Sequence, residues 1–93
     1  MIIDKINVMT TLLIDVRTKE EYNERHATDA INIPVEEICD GKLGILQATG
    51  KDTPIRLYCR SGGRAEGAKE MLLSLGYSDV VNLGGLVDIE PLV

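Results

Sequence analysis

The chain has 93 residues, of which 44% are apolar, and its 15 acidic and 10 basic side chains give a formal charge of −5. This length predicts one domain over residues 1–93, with a modest core that removes roughly 64% of the surface of the unfolded chain from water. No apolar run approaches the roughly 20 residues of a membrane helix, so a membrane-spanning chain is excluded.

Composition disfavours three further classes of protein. A secretory leader needs an unbroken apolar stretch, and Asp4 and Lys5 interrupt the one candidate. We therefore expect a cytoplasmic protein, or a periplasmic one if a leader has been removed. An acidic chain with three Tyr, no Phe and no Trp lacks the basic, aromatic surface of nucleic-acid binders. Cys39 and Cys59 have neither metal-site spacing nor a His pair, which predicts no metal, no cofactor and no disulfide framework.

The first predicted elements are a strand and a short helix. Residues 11–16 contain a nearly continuous apolar run of Leu12, Leu13, Ile14 and Val16, which is typical of a central strand covered on both faces. Thr18 and Glu21 form a capping-box pattern, which predicts a short polar helix. A turn at residues 28–29 should follow it.

A second strand and helix are predicted next. Residues 30–33 form a short apolar strand, and Pro34 suits the first turn of a helix over residues 35–39. Glycines interrupt residues 40–52, where we predict a loop that includes a helical turn.

The second half of the chain contains a strand, a tight loop and a helix in direct succession. Residues 55–58 predict a third strand, which leads into the loop at residues 59–64. Apolar residues then recur at helical spacing over residues 65–75, and Gly76 is suited to end the helix.

Residues 79–83 predict a fourth strand, followed by a turn at residues 84–85 and a tail that Pro91 closes. Strands that alternate with helices indicate an α/β fold. We therefore predict a mostly parallel sheet of four to five strands with helices on both faces.

The loop at residues 59–64 has the composition of a reactive-thiol site. Cys59 lies at the predicted end of a strand and before a helix N-terminus, where the helix dipole stabilises a thiolate. Arg60 and Arg64 add two cations. Gly62 and Gly63 allow backbone N–H groups to turn inward and cradle an anion. The predicted nucleophile is Cys59, and the predicted binding rim consists of Arg60, Ser61, Gly62, Gly63 and Arg64.

Core packing is the alternative interpretation of this cysteine, because most free cysteines are small buried hydrophobes. Packing alone does not explain the adjacent glycine pair and arginines. Arg56, Arg60 and Arg64 are three basic residues within nine positions that hold no acid. This pattern predicts a cationic site on an acidic protein.

Four stretches in order make the sequence resemble the rhodanese family. Residues 59–64 match its Cys-x-x-Gly-x-Arg loop, and residues 13–22 match its Asp-Val-Arg and Glu-Tyr segment. The other two stretches are residues 30–34 and 76–85. The likeness covers residues 12–89 and is strongest to the small single-domain rhodaneses of the bacterial phage-shock type.

This resemblance implies a thiosulfate sulfurtransferase. In the family, the loop cysteine takes the outer sulfur of thiosulfate, holds it as a persulfide and passes it to cyanide or a thiol. It implies Cys59 as the nucleophile, the N–H groups of residues 60–64 as donors to the persulfide, Arg60 as the group that attracts thiosulfate, and Arg64 as a brace of the loop. The implied partners are a small anionic sulfur donor, a thiol or cyanide acceptor and, alternatively, an acceptor protein.

Two other functions stay open. One is a persulfide carrier or sensor that acts with a protein partner and turns over no small substrate. The other is a phosphatase or arsenate reductase, although related folds with that chemistry place one more residue between the cysteine and the arginine. Cys59 and Arg64 have four residues between them, which favours sulfur.

The remaining candidates are predicted to be structural. Asp15 and Arg17 are expected to cap a helix or form an ion pair. His26, the only histidine, is expected to support a turn. Cys39 is expected to be packed against its helix neighbours. Gly67 lies inside a predicted helix, where close backbone packing would explain a residue that costs about 1 kcal/mol relative to Ala.

Overall fold

Four parallel strands form one sheet in the computed structural model, which describes residues 11–89. The strands are β1 (Leu12–Asp15), β2 (Ile31–Asn32), β3 (Ile55–Cys59) and β4 (Val80–Gly85), in the spatial order β2-β1-β3-β4. The helices are α1 (Lys19–Glu24), α2 (Val35–Cys39) and α3 (Gly63–Ser74), together with 3-10 helices at Gly44–Ala48 and Leu86–Asp88. The predicted parallel α/β architecture is confirmed, and no helix in this range is long and apolar enough to cross a membrane.

Helices cover the sheet on both faces because side chains alternate along the central strands. On one face, Ile14 of β1 and Leu57 of β3 join the main core, which α2, α3 and the first 3-10 helix enclose. On the other face, Leu13 and Tyr58 pack with Tyr22 of α1 in a smaller cluster. We call these the α3 face and the α1 face. The nearly continuous apolar run in the sequence follows from this double coverage.

Local sequence signals account for several element boundaries. The capping box before α1 is formed, because the Thr18 side chain accepts from the Glu21 N–H and the Glu21 side chain accepts from the Thr18 N–H. Pro34 caps α2, and the helical turn predicted in the glycine-interrupted loop is the 3-10 helix Gly44–Ala48. Helix α3 ends at Ser74, and Gly76 follows with a φ of +104° that suits glycine.

Three predictions about individual residues of the fold are wrong. Gly84 and Gly85 do not form a turn but complete β4, where Gly85 pairs with Cys59. Cys39 is exposed and not packed. An added Cβ at Gly67 would meet nothing within 4 Å, so close packing does not explain this glycine. Residues 4, 5 and 91, which carried the expectations for the termini, lie outside the described residues.

Candidate active site

The carboxyl end of β3 places Cys59 at the sheet edge where ligands bind in parallel α/β folds. Residues 60–62 form a short loop, and α3 begins at Gly63. Gly62 has a φ of +99°, in the left-handed region that favours glycine, and this conformation reverses the chain direction within the loop. The order of strand, tight loop and helix predicted from the sequence is therefore present.

Main-chain N–H groups surround the sulfur of Cys59. The Gly62 N–H donates to Sγ at 2.9 Å and the Ala65 N–H at 3.4 Å. Burial disfavours the thiolate, but the surrounding backbone donors outweigh it and hold the pKa of Cys59 below its ordinary value. Those donors are the N–H groups of Ala65, Ser61, Gly62 and Arg64. Cys59 is nonetheless buried, with 1% of its surface exposed.

Strand β4 forms the floor of this loop. A Cβ added at Gly85 would lie 2.3 Å from the carbonyl oxygen of Arg60, a distance that no side chain tolerates. A Cβ added at Gly62 would lie 3.4 Å from the Cα of Gly84. The missing side chains of Gly62 and Gly85 thus allow two backbone segments to touch beneath the site. A Gly-Gly pair at the end of an apolar strand was the signal for this contact.

An ion pair fixes the far end of the loop. Both terminal nitrogens of Arg64 donate to the carboxylate of Glu21 in α1, at 2.9 and 3.1 Å. The hydrogen bond from Arg64 lowers the pKa of Glu21 to about 2. This pair ties the first turn of α3 to α1, and the charge of Arg64 also interacts with the Cys59 thiolate.

The predicted cluster of three arginines is not formed. Arg56 is the second residue of β3, roughly 10 Å along the strand from Cys59, and its guanidinium pairs with Asp79 at 2.9 Å. Arg60, in contrast, is exposed and forms no ion pair within residues 11–89. It borders a cleft of about 260 Å³, whose other lining residues are Arg17, Glu21, Glu24, Arg25, Leu86 and Val87. The site is thus of mixed charge, with one loop arginine available to a ligand.

A buried polar network lies behind the loop on the α1 face. Asp15 is fully buried and accepts from the Arg17 guanidinium at 2.7 Å and from the Tyr58 hydroxyl at 2.7 Å. Burial raises the pKa of Tyr58 to about 12, so its hydroxyl stays a donor. The Tyr58 oxygen also accepts from the Ala27 N–H at 3.0 Å. The ion pair, one of the two roles predicted for Asp15 and Arg17, is confirmed, whereas no pattern in the sequence indicated that Tyr58 completes the network.

His26 and Cys39 lie apart from the loop contacts. The Nδ1 atom of His26 is 2.8 Å from the carbonyl oxygen of Tyr22, and the two rings stack at 3.8 Å. This arrangement agrees with the structural role predicted for the histidine. Cys39 is the last residue of α2, and both cysteines are free.

Comparisons with known proteins point to one family. The model for the rhodanese-like domain matches residues 2–90. An Escherichia coli protein named thiosulfate sulfurtransferase PspE is 43% identical over 77 residues, which are 82% of this chain and 71% of that protein. A protein of Allochromatium vinosum named sulfurtransferase is 36% identical over 77 residues, 82% of this chain and 68% of its own length. A solved E. coli rhodanese with anions superimposes with a TM-score of 0.79 at 40% identity, covering 90% of this chain and 98% of that one.

Proposed function

The chain belongs to the rhodanese-like domain family, and on this basis we propose that it moves the outer sulfur of thiosulfate through a persulfide on Cys59. Relatives named as sulfurtransferases support sulfur transfer as the general chemistry. The observation that carries the proposal is the approach of two main-chain N–H groups to Sγ, at 2.9 Å from Gly62 and 3.4 Å from Ala65. These donors favour the thiolate, which is the nucleophilic form of cysteine.

The first step loads the enzyme. The Cys59 thiolate attacks the outer sulfur of thiosulfate, a new S–S bond forms, and the S–S bond of thiosulfate breaks. Sulfite leaves with the bonding electron pair, and the negative charge of the persulfide stays on its terminal sulfur. Arg60, exposed beside the cleft and without an ion pair in the described part of the chain, attracts and orients the dianion.

The second step unloads it. A cyanide ion or a thiolate attacks the terminal sulfur of the persulfide, and Cys59 leaves as the thiolate. The products are thiocyanate or a new persulfide. The same N–H groups that lower the pKa of Cys59 stabilise it as a leaving group. The same main-chain N–H groups therefore assist both steps, because the Cys59 sulfur carries negative charge before the first step and again after the second.

Sulfur loading is tested by intact-mass measurement after incubation with thiosulfate. We expect a gain of one sulfur atom, with release of one equivalent of sulfite. Cys59→Ser should gain nothing, whereas Cys39→Ser, which removes the exposed thiol, should load as the parent does. An unchanged mass of the parent protein, or loading of Cys59→Ser, would refute the proposal.

A panel of acceptors separates turnover from storage. The proposal expects continuous formation of thiocyanate from thiosulfate and cyanide. Loading without release to cyanide or small thiols would instead identify a persulfide carrier that acts with a protein partner. Hydrolysis of a phosphate ester above the level of Cys59→Ser would identify a phosphatase and contradict sulfur transfer.

A further inference from the structure

The left-handed conformation of Gly62 aims its N–H at the Cys59 sulfur, so whatever holds Gly62 also controls this donor. The Gly62 carbonyl oxygen accepts two hydrogen bonds. One comes from the Glu66 N–H at 3.0 Å, within the first turn of α3. The other comes from Nδ2 of Asn82 at 3.0 Å, across the loop from β4.

Both the nitrogen and the oxygen of the Asn82 side-chain amide form hydrogen bonds beside the loop. Besides Gly62, its Nδ2 atom donates to Oε1 of Glu66 at 2.9 Å, and its Oδ1 atom accepts from the Gly84 N–H at 2.9 Å. The side chain thus joins the loop, the first turn of α3 and the strand whose glycines lie beneath the loop. Its backbone is registered with Leu57, two residues before Cys59.

We propose that Asn82 is a positioning residue for Cys59. By holding the Gly62 carbonyl, it restricts rotation about the two backbone bonds of Gly62 and keeps the N–H directed at Sγ. It touches neither the sulfur nor the substrate, and it acts through Gly62. Its role for the thiolate stands by itself, whereas its role for the persulfide rests on the proposed function.

The test measures the pKa of Cys59 from the pH dependence of alkylation by iodoacetamide. All variants carry Cys39→Ser, so that a single thiol reacts. Asn82→Asp keeps the acceptor for Gly84 but loses both amide donors, and Asn82→Ala loses every contact without adding charge. We expect the pKa of Cys59 to rise by about 0.5 to 1 unit in both, and alkylation well below that pKa to slow about three- to tenfold.

Glu66→Gln is the matched control, since its Oε1 can still accept from Asn82. The pKa of Cys59 should not rise in this variant. The double variant Asn82→Asp with Glu66→Gln relieves the repulsion between two carboxylates but leaves the Gly62 carbonyl without the Asn82 donor. It should keep the raised pKa.

Two results would overturn the inference. The first is an unchanged pKa of Cys59 in folded Asn82→Ala. The second is a return to the parent pKa in the double variant, because the rise in Asn82→Asp would then be due to the added negative charge alone. Urea unfolding of each variant shows that the thiol is measured in folded protein, and a general loss of stability alone would not move the thiol pKa. Because alkylation needs no sulfur transfer, failure of this inference is separate from failure of the proposed function, which the mass of the thiosulfate-treated parent decides.

Discussion

Tyr58 and Cys59 are neighbours on β3, yet they face opposite sides of the sheet. The two environments stabilise charged and polar groups by different means. On the α1 face, Tyr58 joins the buried carboxylate of Asp15, whose charge a guanidinium neutralises at 2.7 Å. On the α3 face, the Cys59 sulfur is surrounded by apolar side chains and by main-chain N–H groups. The permanent charge of Asp15 is thus balanced by a side chain of opposite charge. The transient negative charge on the Cys59 sulfur is stabilised by the dipoles of main-chain N–H groups.

This difference has a chemical basis. A buried ion pair is stable only while both partners stay charged, because either charge alone is strongly destabilised. A sulfur that alternates between thiolate and persulfide needs donors that tolerate both states, and backbone N–H groups neither titrate nor leave an unpaired charge behind. The comparison predicts side-chain substitutions to be most damaging on the α1 face and backbone changes to matter most at the loop.

The largest effect is expected from Asp15→Ala. It leaves the guanidinium of Arg17, which is 5% exposed, without its carboxylate. We expect the free energy of unfolding to fall by about 3–5 kcal/mol, measured by urea denaturation. The control is Asp79→Ala, which breaks the half-exposed pair with Arg56 and should cost about 0–1 kcal/mol. Equal losses in the two variants would show that the α1 face is not the more sensitive.

The loop side of the comparison is tested by Gly85→Ala. The added methyl group would lie 2.3 Å from the Arg60 carbonyl oxygen, so β4 and the loop must separate. We expect a loss of about 1–3 kcal/mol in unfolding free energy, together with slower alkylation of Cys59 as its donors move. Unchanged alkylation at neutral pH would mean that β4 does not shape the cradle.

A smaller effect is expected where the two faces are joined. Glu21 of α1 pairs with Arg64 of α3, and their side chains are 24% and 36% exposed. Glu21→Gln should therefore cost only about 1 kcal/mol at neutral pH, because solvent screens the pair. Since the pKa of Glu21 is lowered from 4.5 to about 2 on folding, this contribution is complete above pH 4.5 and is lost as the pH falls toward 2. Urea midpoints of parent and variant should converge across that window; a constant difference would contradict the assignment.

The smallest effect, and one of opposite sign, is expected away from both faces. Gly67 is exposed in α3, and an added Cβ would meet nothing within 4 Å. Gly67→Ala should stabilise the protein by up to about 1 kcal/mol through helix propensity. Thermal unfolding measures the gain, and alkylation of Cys59 should stay at the parent rate. A destabilised variant would show that this glycine has a packing partner after all.

Structural features that depend on a few neighbouring residues could be predicted from the sequence. The capping box of Thr18 and Glu21 and strand β1 depend on neighbours along the chain, and both were predicted correctly. The order of strand, loop and helix around Cys59 also follows from local patterning. The ion pair of Asp15 with Arg17 was one of the two roles predicted for these residues, which a single residue separates along the chain.

Contacts between distant residues could not be predicted in this way. From the sequence alone, Gly85 is typical of a turn. The pairing of β4 with β3 shows instead that a side chain at this position would collide with the loop. The ion-pair partner of Arg64 is Glu21, which is 43 positions away. Arg56 looked like part of the site because it is close in sequence, but an extended strand carries it away from the loop. Cys39 was predicted to be packed because the short helix was expected to be amphipathic, yet the residue falls on the exposed side.

The parallel sheet also has a consequence for the order of folding. Parallel neighbours need a crossover connection, so the four strands within residues 11–89 include no hairpin that could form early. Cys59 meets Gly85, 26 positions later in the chain, only when β4 docks on β3. Contacts of such long sequence separation are slow to form. During synthesis, the thiol should therefore keep the reactivity of an unfolded cysteine until the last strand has emerged and closed the cradle.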